Sequence, residues 1–140
     1  MVELIITEKP SSAKKVALAL GKATQKKHKK VSYYEVKRGK NLIYVASAVG
    51  HLYNLHQTTK GWNYPTYDIE WTASHEINKK QAYVKDYIDC IKKLAKKADD
   101  VTVACDYDVE GEVIGLNAMR FAANRKDAAR MKFSTLTKKE

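Results

Sequence analysis

Val101-Thr-Val-Ala-Cys-Asp106-Tyr-Asp108-Val-Glu110-Gly111-Glu112-Val-Ile-Gly115 decides how this chain is read. The run Val101 to Cys105 is β-branched and apolar, as a buried strand requires. Asp106, Asp108 and Glu110 follow at alternate positions, and in extended backbone residues i, i+2 and i+4 share one face. Three carboxylates on one face repel each other, and a cation would relieve that repulsion. With oxygen ligands only, the cation would be Mg²⁺, Mn²⁺ or Ca²⁺ in preference to Zn²⁺. The C-terminal end of a strand that turns into a helix is where open α/β sheets bind ligands. Gly111 suits the turn, and Glu112 favours a helix N-terminus. The spacing partly imitates an EF-hand loop. That reading fails because the twelfth position is Asn117 where a bidentate Glu is needed, and because a strand precedes the loop where a helix is needed. The bland alternative is a solvated acidic turn.

Working outward, Leu4 to Thr7 reads as a short buried strand. Glu8 and Lys9 follow it, then Pro10 at a first helical position, where its missing N–H costs nothing. Ala13, Val16, Ala17 and Leu20 recur at helical spacing, and Gly21 is a natural stop. Glu8 and Lys9 thus lie between a strand end and a helix start, a place suited to phosphate, although such a pair is also an ordinary polar turn. Val31 to Val36 and Asn41 to Ala46 are strand-like, joined by the basic turn Lys37-Arg38-Gly39-Lys40. Gly50 allows a sharp bend, and His51 beside it is a phosphate contact or a structural histidine. The stretch from Asn54 to Lys79 is irregular and aromatic, with Trp62, Tyr64, Tyr67 and Trp71. It could pack over the sheet edge or stack on single-stranded bases. Gln81 to Ala98 is a long amphipathic helix with Val84, Tyr87, Ile88, Ile91, Leu94, Ala95 and Ala98 on one stripe. A third helix runs from Glu112 to about Asn124, with Ile114, Ala118, Phe121 and Ala122 inward. Arg130 to Ser134 is a last strand, and Thr137 looks like the cap of a further helix. This alternation predicts an α/β layer fold with a mainly parallel sheet flanked by helices.

The 140 residues are one domain's worth of chain, and a hydrophobic content of 44% supplies a core. A net charge of +10 asks for an anionic partner, most often nucleic acid. Lys22, Lys26, Lys27, Lys29 and Lys30 crowd one segment around His28, which on its own reads as a solvated loop. The apolar runs are too short for a membrane span, and Glu3 interrupts any signal-peptide core. Cys90 and Cys105 lack metal-ligand spacing and read as core residues of a reducing cytosol.

With the elements placed, the chain resembles the N-terminal Toprim domain of type IA DNA topoisomerases, a Rossmann-like fold. Leu4-Ile5-Ile6-Thr7-Glu8-Lys9-Pro10-Ser11 is similar to that family's first strand and glutamate turn. Val49-Gly50-His51-Leu52 is similar to its Gly-His segment, and Asp106 to Glu112 to its acidic motif. Arg130, Phe133 and Thr137 match a pattern that leads into the next domain. The segment from Trp62 to Trp71 looks like the archaeal branch. The resemblance covers nearly the whole chain, residues 1–140, as one Toprim domain of a longer enzyme. It implies cleavage and resealing of single-stranded DNA through a 5′-phosphotyrosine, with Glu8 handling the leaving hydroxyl's proton. It further implies Mg²⁺ on Asp106, Asp108 and Glu110, a catalytic lysine at Lys9, with Lys14 the poorer match, and DNA contacts from His51, Lys14 and Arg130. The nucleophilic tyrosine belongs to a later domain, so the partners implied are single-stranded DNA and the rest of the same chain. Tyr64-Pro65-Thr66 imitates a nucleophile segment only superficially, since it stands in the wrong block. A cytoplasmic, nucleoid-associated location follows from that reading. The acidic motif alone would also suit another Toprim enzyme, a primase-like polymerase or a nuclease. The lysines alone would suit a non-catalytic nucleic-acid-binding module.

Overall fold

The computed structural model describes residues 1–61 and 64–133. Its centre is β1 (Val2–Thr7), whose Leu4, Ile5 and Ile6 are fully buried because both faces of the sheet are covered. Helix α1 (Pro10–Leu20) covers one face, setting Ala13, Val16 and Ala17 against Ile5, Val36, Ile43, Val45 and Ala104. Its first residue is Pro10, as the sequence predicts. The other face carries α3 (Val84–Ala95) and α4 (Val109–Asn117), which pack Ile88, Ile91, Leu94 and Ile114 against Leu4, Ile6, Tyr44 and Ala46. A lysine-rich strand, β2 (Ala23–His28), starts the antiparallel edge, which continues with β3 (Val31–Arg38) and β4 (Asn41–Ser47). β4 pairs in parallel with β1, β1 with β7 (Asp100–Ala104), and β7 with the short β8 (Ala129–Arg130). The six-stranded order is β2-β3-β4-β1-β7-β8, the mainly parallel α/β layer read from the sequence.

Several local expectations give way. The middle of the lysine segment is an edge strand rather than a loop, with Lys26 and Lys27 inside β2 and Lys22, Lys29 and Lys30 exposed beside it. Its pairing with β3 supplies the order, and Lys26 is held 2.7 Å from Glu35 across the pair. The aromatic stretch is not irregular throughout. It contains an antiparallel pair, β5 (Tyr53–Gln57) and β6 (Ile69–Ala73), then the short α2 (Ser74–Ile77) and a 3₁₀ turn Lys79–Gln81. The helix expected from Gln81 therefore begins only at Val84. α4 begins three residues earlier than expected and passes at Ala118 into a π turn to Ala122, closed by the Ala123 N–H on the Ala118 carbonyl at 2.8 Å. That extra residue in the turn rotates Phe121 outward, against the expectation, leaving it 40% exposed against Tyr53 at a ring separation of 5.1 Å. The last strand shrinks to Ala129–Arg130. Trp62, Ser134 and Thr137 lie outside the described residues.

Candidate active site

β4, β1 and β7 are adjacent and parallel, and their last residues stand in register, Ser47 beside Thr7 and Thr7 beside Ala104. The segments that leave them therefore emerge side by side. β1 delivers Glu8 and Lys9 into α1 on one face of the sheet. β7 delivers Cys105, Asp106 and Asp108 into α4 on the other. The two exits diverge, which opens a crevice at the strand ends of the kind that α/β sheets use for ligands. The exit of β4 is tied to the same place, since the Ala48 N–H donates to the Thr7 carbonyl at 2.7 Å and the Gly50 N–H to the Glu8 carbonyl at 3.3 Å. Gly50 adopts φ 78°, a conformation that side chains resist, and this bend turns His51 inward.

The side chains fall into two contacting groups. Lys9 Nζ lies 3.1 Å from Glu8 Oε1 and 4.0 Å from Asp106 Oδ2. The hydrogen bond and charge of Glu8, then the charge of Asp106, raise the Lys9 ammonium above its ordinary value, so it is cationic at any physiological pH. Such exposed pairs add little stability. Their consequence is positional, because they hold one cation between the exits of β1 and β7. In the second group His51 Nε2–H donates to Glu110 Oε1 at 3.2 Å. Lys14 is exposed on the second turn of α1, outside both groups.

The three carboxylates do not share one extended face, contrary to the expectation from their alternate spacing. Asp108 caps α4, accepting the Gly111 N–H on Oδ1 at 2.7 Å, so the backbone is helical from Val109. Glu110 then lies in the first helical turn and reaches His51, while Asp106 faces Lys9. Gly111 serves close approach, not a left-handed turn. It is buried in the helix, and a Cβ there would overlap the Asp106 carbonyl oxygen.

Among the described residues no three His, Cys, Asp or Glu side chains converge to enclose a metal ion. The donor chemistry nonetheless fits a hard cation. Asp106 and the exposed Asp108 offer only oxygen, and Mg²⁺ keeps several waters and binds through one or two carboxylates plus substrate phosphate.

One residue pair was not legible beforehand. Arg130 on β8 bonds Glu112 of α4, with Nε and Nη2 each 2.8 Å from Oε1. Its remaining donors reach the carbonyls of Cys105, Asp106 and Met131. The two residues are far apart in sequence and on different elements, so no local pattern announces the pair. Tyr107, between the two aspartates, is 60% exposed with Lys132 Nζ 5.4 Å from its ring centre. Among the described residues no helix is long and apolar enough to cross a membrane.

Comparison with known proteins agrees with this architecture. The Toprim domain profile matches residues 3–136. The DNA topoisomerase 1 of Methanocaldococcus jannaschii is 49% identical over the whole chain, which covers 18% of that relative. The DNA topoisomerase 1 of Methanothermobacter thermautotrophicus is 47% identical, again over the whole chain and 20% of the relative. Reverse gyrase 2 of Aquifex aeolicus is 28% identical over 80% of this chain and 12% of its own length. The chain thus spans about a fifth of the length of the two topoisomerases it matches in full. A profile match over almost every residue, on a sheet whose strand ends gather the glutamate turn, the Gly-His segment and the acidic motif, makes this chain a member of the Toprim domain family.

Proposed function

We propose that this chain is the Toprim part of a type IA DNA topoisomerase, which cuts and reseals one DNA strand with a tyrosine supplied by another part of a longer chain. The observation that carries the reading is the gathering of Glu8, Lys9, His51, Asp106, Asp108 and Glu110 at the ends of three adjacent strands, within a chain that matches topoisomerases along its whole length. Those matches also favour it over a primase-like or nuclease role.

Each residue has a task in this scheme. Lys9, fixed between Glu8 and Asp106, offers a permanent cation to the scissile phosphate. Glu8 Oε1 lies close enough to that cation to meet the same phosphate, where it gives a proton to the departing 3′ oxygen on cleavage and takes it back on resealing. His51 and Lys14 flank the crevice as DNA contacts, His51 with its Nε2 already turned to Glu110. Mg²⁺ held by Asp106 and Asp108 would offset the charge that develops on the phosphate. Glu110, hydrogen-bonded to His51, would supply a further oxygen to that metal. With only a few carboxylate oxygens to offer, the site would hold metal weakly without DNA and more tightly with a DNA phosphate completing the shell.

The test is a Mg²⁺ titration of the 140-residue chain followed by amide chemical shifts, with and without a short single-stranded oligonucleotide. Shifts around Asp106 to Gly111 that move in the wild type, stay still in Asp106→Ala plus Asp108→Ala, and saturate at lower Mg²⁺ with DNA present are the expected result. Equal shifts in wild type and variant would remove the metal site from the scheme.

A further inference from the structure

We propose that Arg130 is a positioning residue that fixes the acidic turn from behind, and that it makes no phosphate contact. The inference rests on reading the Asp106 to Glu110 turn as the metal- and DNA-facing site. A guanidinium has five N–H donors in a rigid fork and no acceptor. In Arg130 four of the five make hydrogen bonds, and all three nitrogens are engaged. Nε–H donates to Glu112 Oε1 at 2.8 Å, and Nη2 donates to the Asp106 carbonyl at 2.9 Å while lying 2.8 Å from the same Glu112 oxygen as an ion pair. Nη1 donates to the Cys105 carbonyl at 2.8 Å and the Met131 carbonyl at 2.6 Å. Its side chain is only 17% exposed. To meet a phosphate, Arg130 would have to leave three carbonyls and a carboxylate, and the carbonyls beneath it would lose their donors.

The carbonyls it does hold are those where β7 stops and the acidic turn starts. Beyond Ala104 the sheet no longer supplies partners to this strand, so Cys105 and Asp106 depend on other donors. Arg130 supplies them from β8, and Glu112 anchors the guanidinium from the first turn of α4. On the opposite side Gly111 abuts the Asp106 carbonyl with no room for a methyl group. The Asp106 peptide is thus held between Arg130 and Gly111. Its backbone position sets where the Asp106 carboxylate stands relative to Lys9, and where Asp108 begins the helix. A lysine could keep the charge but not the fork, since one ammonium cannot reach three carbonyls and a carboxylate that lie around a planar group.

Arg130→Lys, Arg130→Ala and Glu112→Gln in the 140-residue chain test this, alongside Lys14→Ala. Metal-free amide shifts of Asp106, Asp108 and Gly111 should move in all three clamp variants and stay in place in Lys14→Ala. Where Arg130→Ala does not fold, Arg130→Lys and Glu112→Gln carry the comparison. Mg²⁺ affinity should fall about 10- to 100-fold in the Arg130 variants, the usual effect of losing a group that orients a ligand. The slope of log affinity for single-stranded oligonucleotide against log salt should be unchanged in those variants. A phosphate contact predicts the reverse pattern. Arg130→Lys would then behave as wild type, and Arg130→Ala would lower the slope by about 0.7 with the turn's shifts in place. Either of those results overturns the proposal. If the wild type responds to neither Mg²⁺ nor DNA, the topoisomerase reading fails, while the metal-free shifts still decide whether Arg130 sets the turn.

Discussion

Gly111→Ala adds one methyl group at the point where α4 crosses the acidic turn. The new Cβ would overlap the Asp106 carbonyl oxygen and stand 3.0 Å from its carbon and 3.1 Å from its nitrogen. These are backbone atoms, so no rotamer change relieves the contact. Two terms compete. Alanine is the better helix former by about 1 kcal/mol, which favours the variant. Overpacking costs about 1–3 kcal/mol, with the upper end applying where the obstacle cannot rotate. Relief by shifting α4 would stretch the Gly111 N–H bond to Asp108 Oδ1, an N-cap that contributes roughly 1 kcal/mol. The balance is a loss of about 2–3 kcal/mol. At about 4 °C per kcal/mol for a domain of this size, the melting temperature should fall by roughly 8–12 °C. Thermal melts by circular dichroism measure it, with Gly39→Ala as the comparison. Gly39 has φ 59° and nothing within 4 Å of an added Cβ, so its variant reports left-handed backbone strain without any clash. Amide shifts locate the damage, which should centre on Asp106 and Asp108 in Gly111→Ala. A Gly111→Ala chain that melts within about 1 °C of wild type would show that the helix propensity term wins and that Asp106 is not held against α4.

Three further outcomes are expected. Affinity for oligonucleotides should fall steeply between about 50 and 200 mM salt, and single strands should bind at least as well as duplex, because the binding is carried by lysines with exposed aromatics nearby; an affinity indifferent to salt refutes this. Burial pushes the Cys90 thiol up to about 11 and the Cys105 thiol up to about 12. Both should resist a thiol reagent at pH 8 until the chain unfolds. Because the folded values are raised, the stability they contribute is intact below pH 9 and is lost above it as the unfolded chain ionises, by about 1.4 kcal/mol per thiol per pH unit until the folded thiols titrate too; a pH-independent melting temperature from 9 to 10.5 would contradict it. The 140-residue chain alone should neither nick nor relax DNA with or without Mg²⁺. Trapped covalent DNA that disappears in Tyr64→Phe or Tyr107→Phe would place the nucleophile in this chain after all. In a longer enzyme carrying the tyrosine, Glu8→Gln should slow cleavage by about 10²- to 10⁴-fold while DNA binding persists.

What could be read beforehand follows from where the physics is local. Leu4 to Ile6 and Val101 to Val103 are short continuous apolar runs, and only strands buried on both faces tolerate that pattern. The stripe from Val84 to Leu94 has the 3.6 period of a helix, so its existence was legible while its start was not. Thr24-Gln25-Lys26-Lys27-His28 shows no apolar alternation at all. It is a strand because β3 offers it a free edge, and charges along that edge discourage further pairing. β5 and β6 are separated by eleven residues from Thr58 to Asp68, too long for turn chemistry to announce the pair. Thr58 closes the gap by bonding the Asp68 carbonyl through both its N–H and its hydroxyl, a contact that no local pattern carries.

The acidic motif shows the same division within a single turn. Alternate spacing places Asp106, Asp108 and Glu110 on one face only while the backbone stays extended, and Asp108 instead caps a helix that starts earlier than the spacing suggests. Capping prevails because it satisfies the Gly111 N–H, whereas three parallel carboxylates would satisfy nothing without a cation. The consequence is a division of charge. Asp106 and Glu8 are left to share Lys9, Glu110 to pair with His51, and Asp108 spends one oxygen on the helix. Each acid is thereby partly compensated by the protein itself. A cation entering this crevice must compete with Lys9 for Asp106, so the site gains most from a ligand that brings negative charge of its own. A DNA phosphate would be such a ligand, and the proposed coupling of metal to DNA rests on the arrangement of these six side chains.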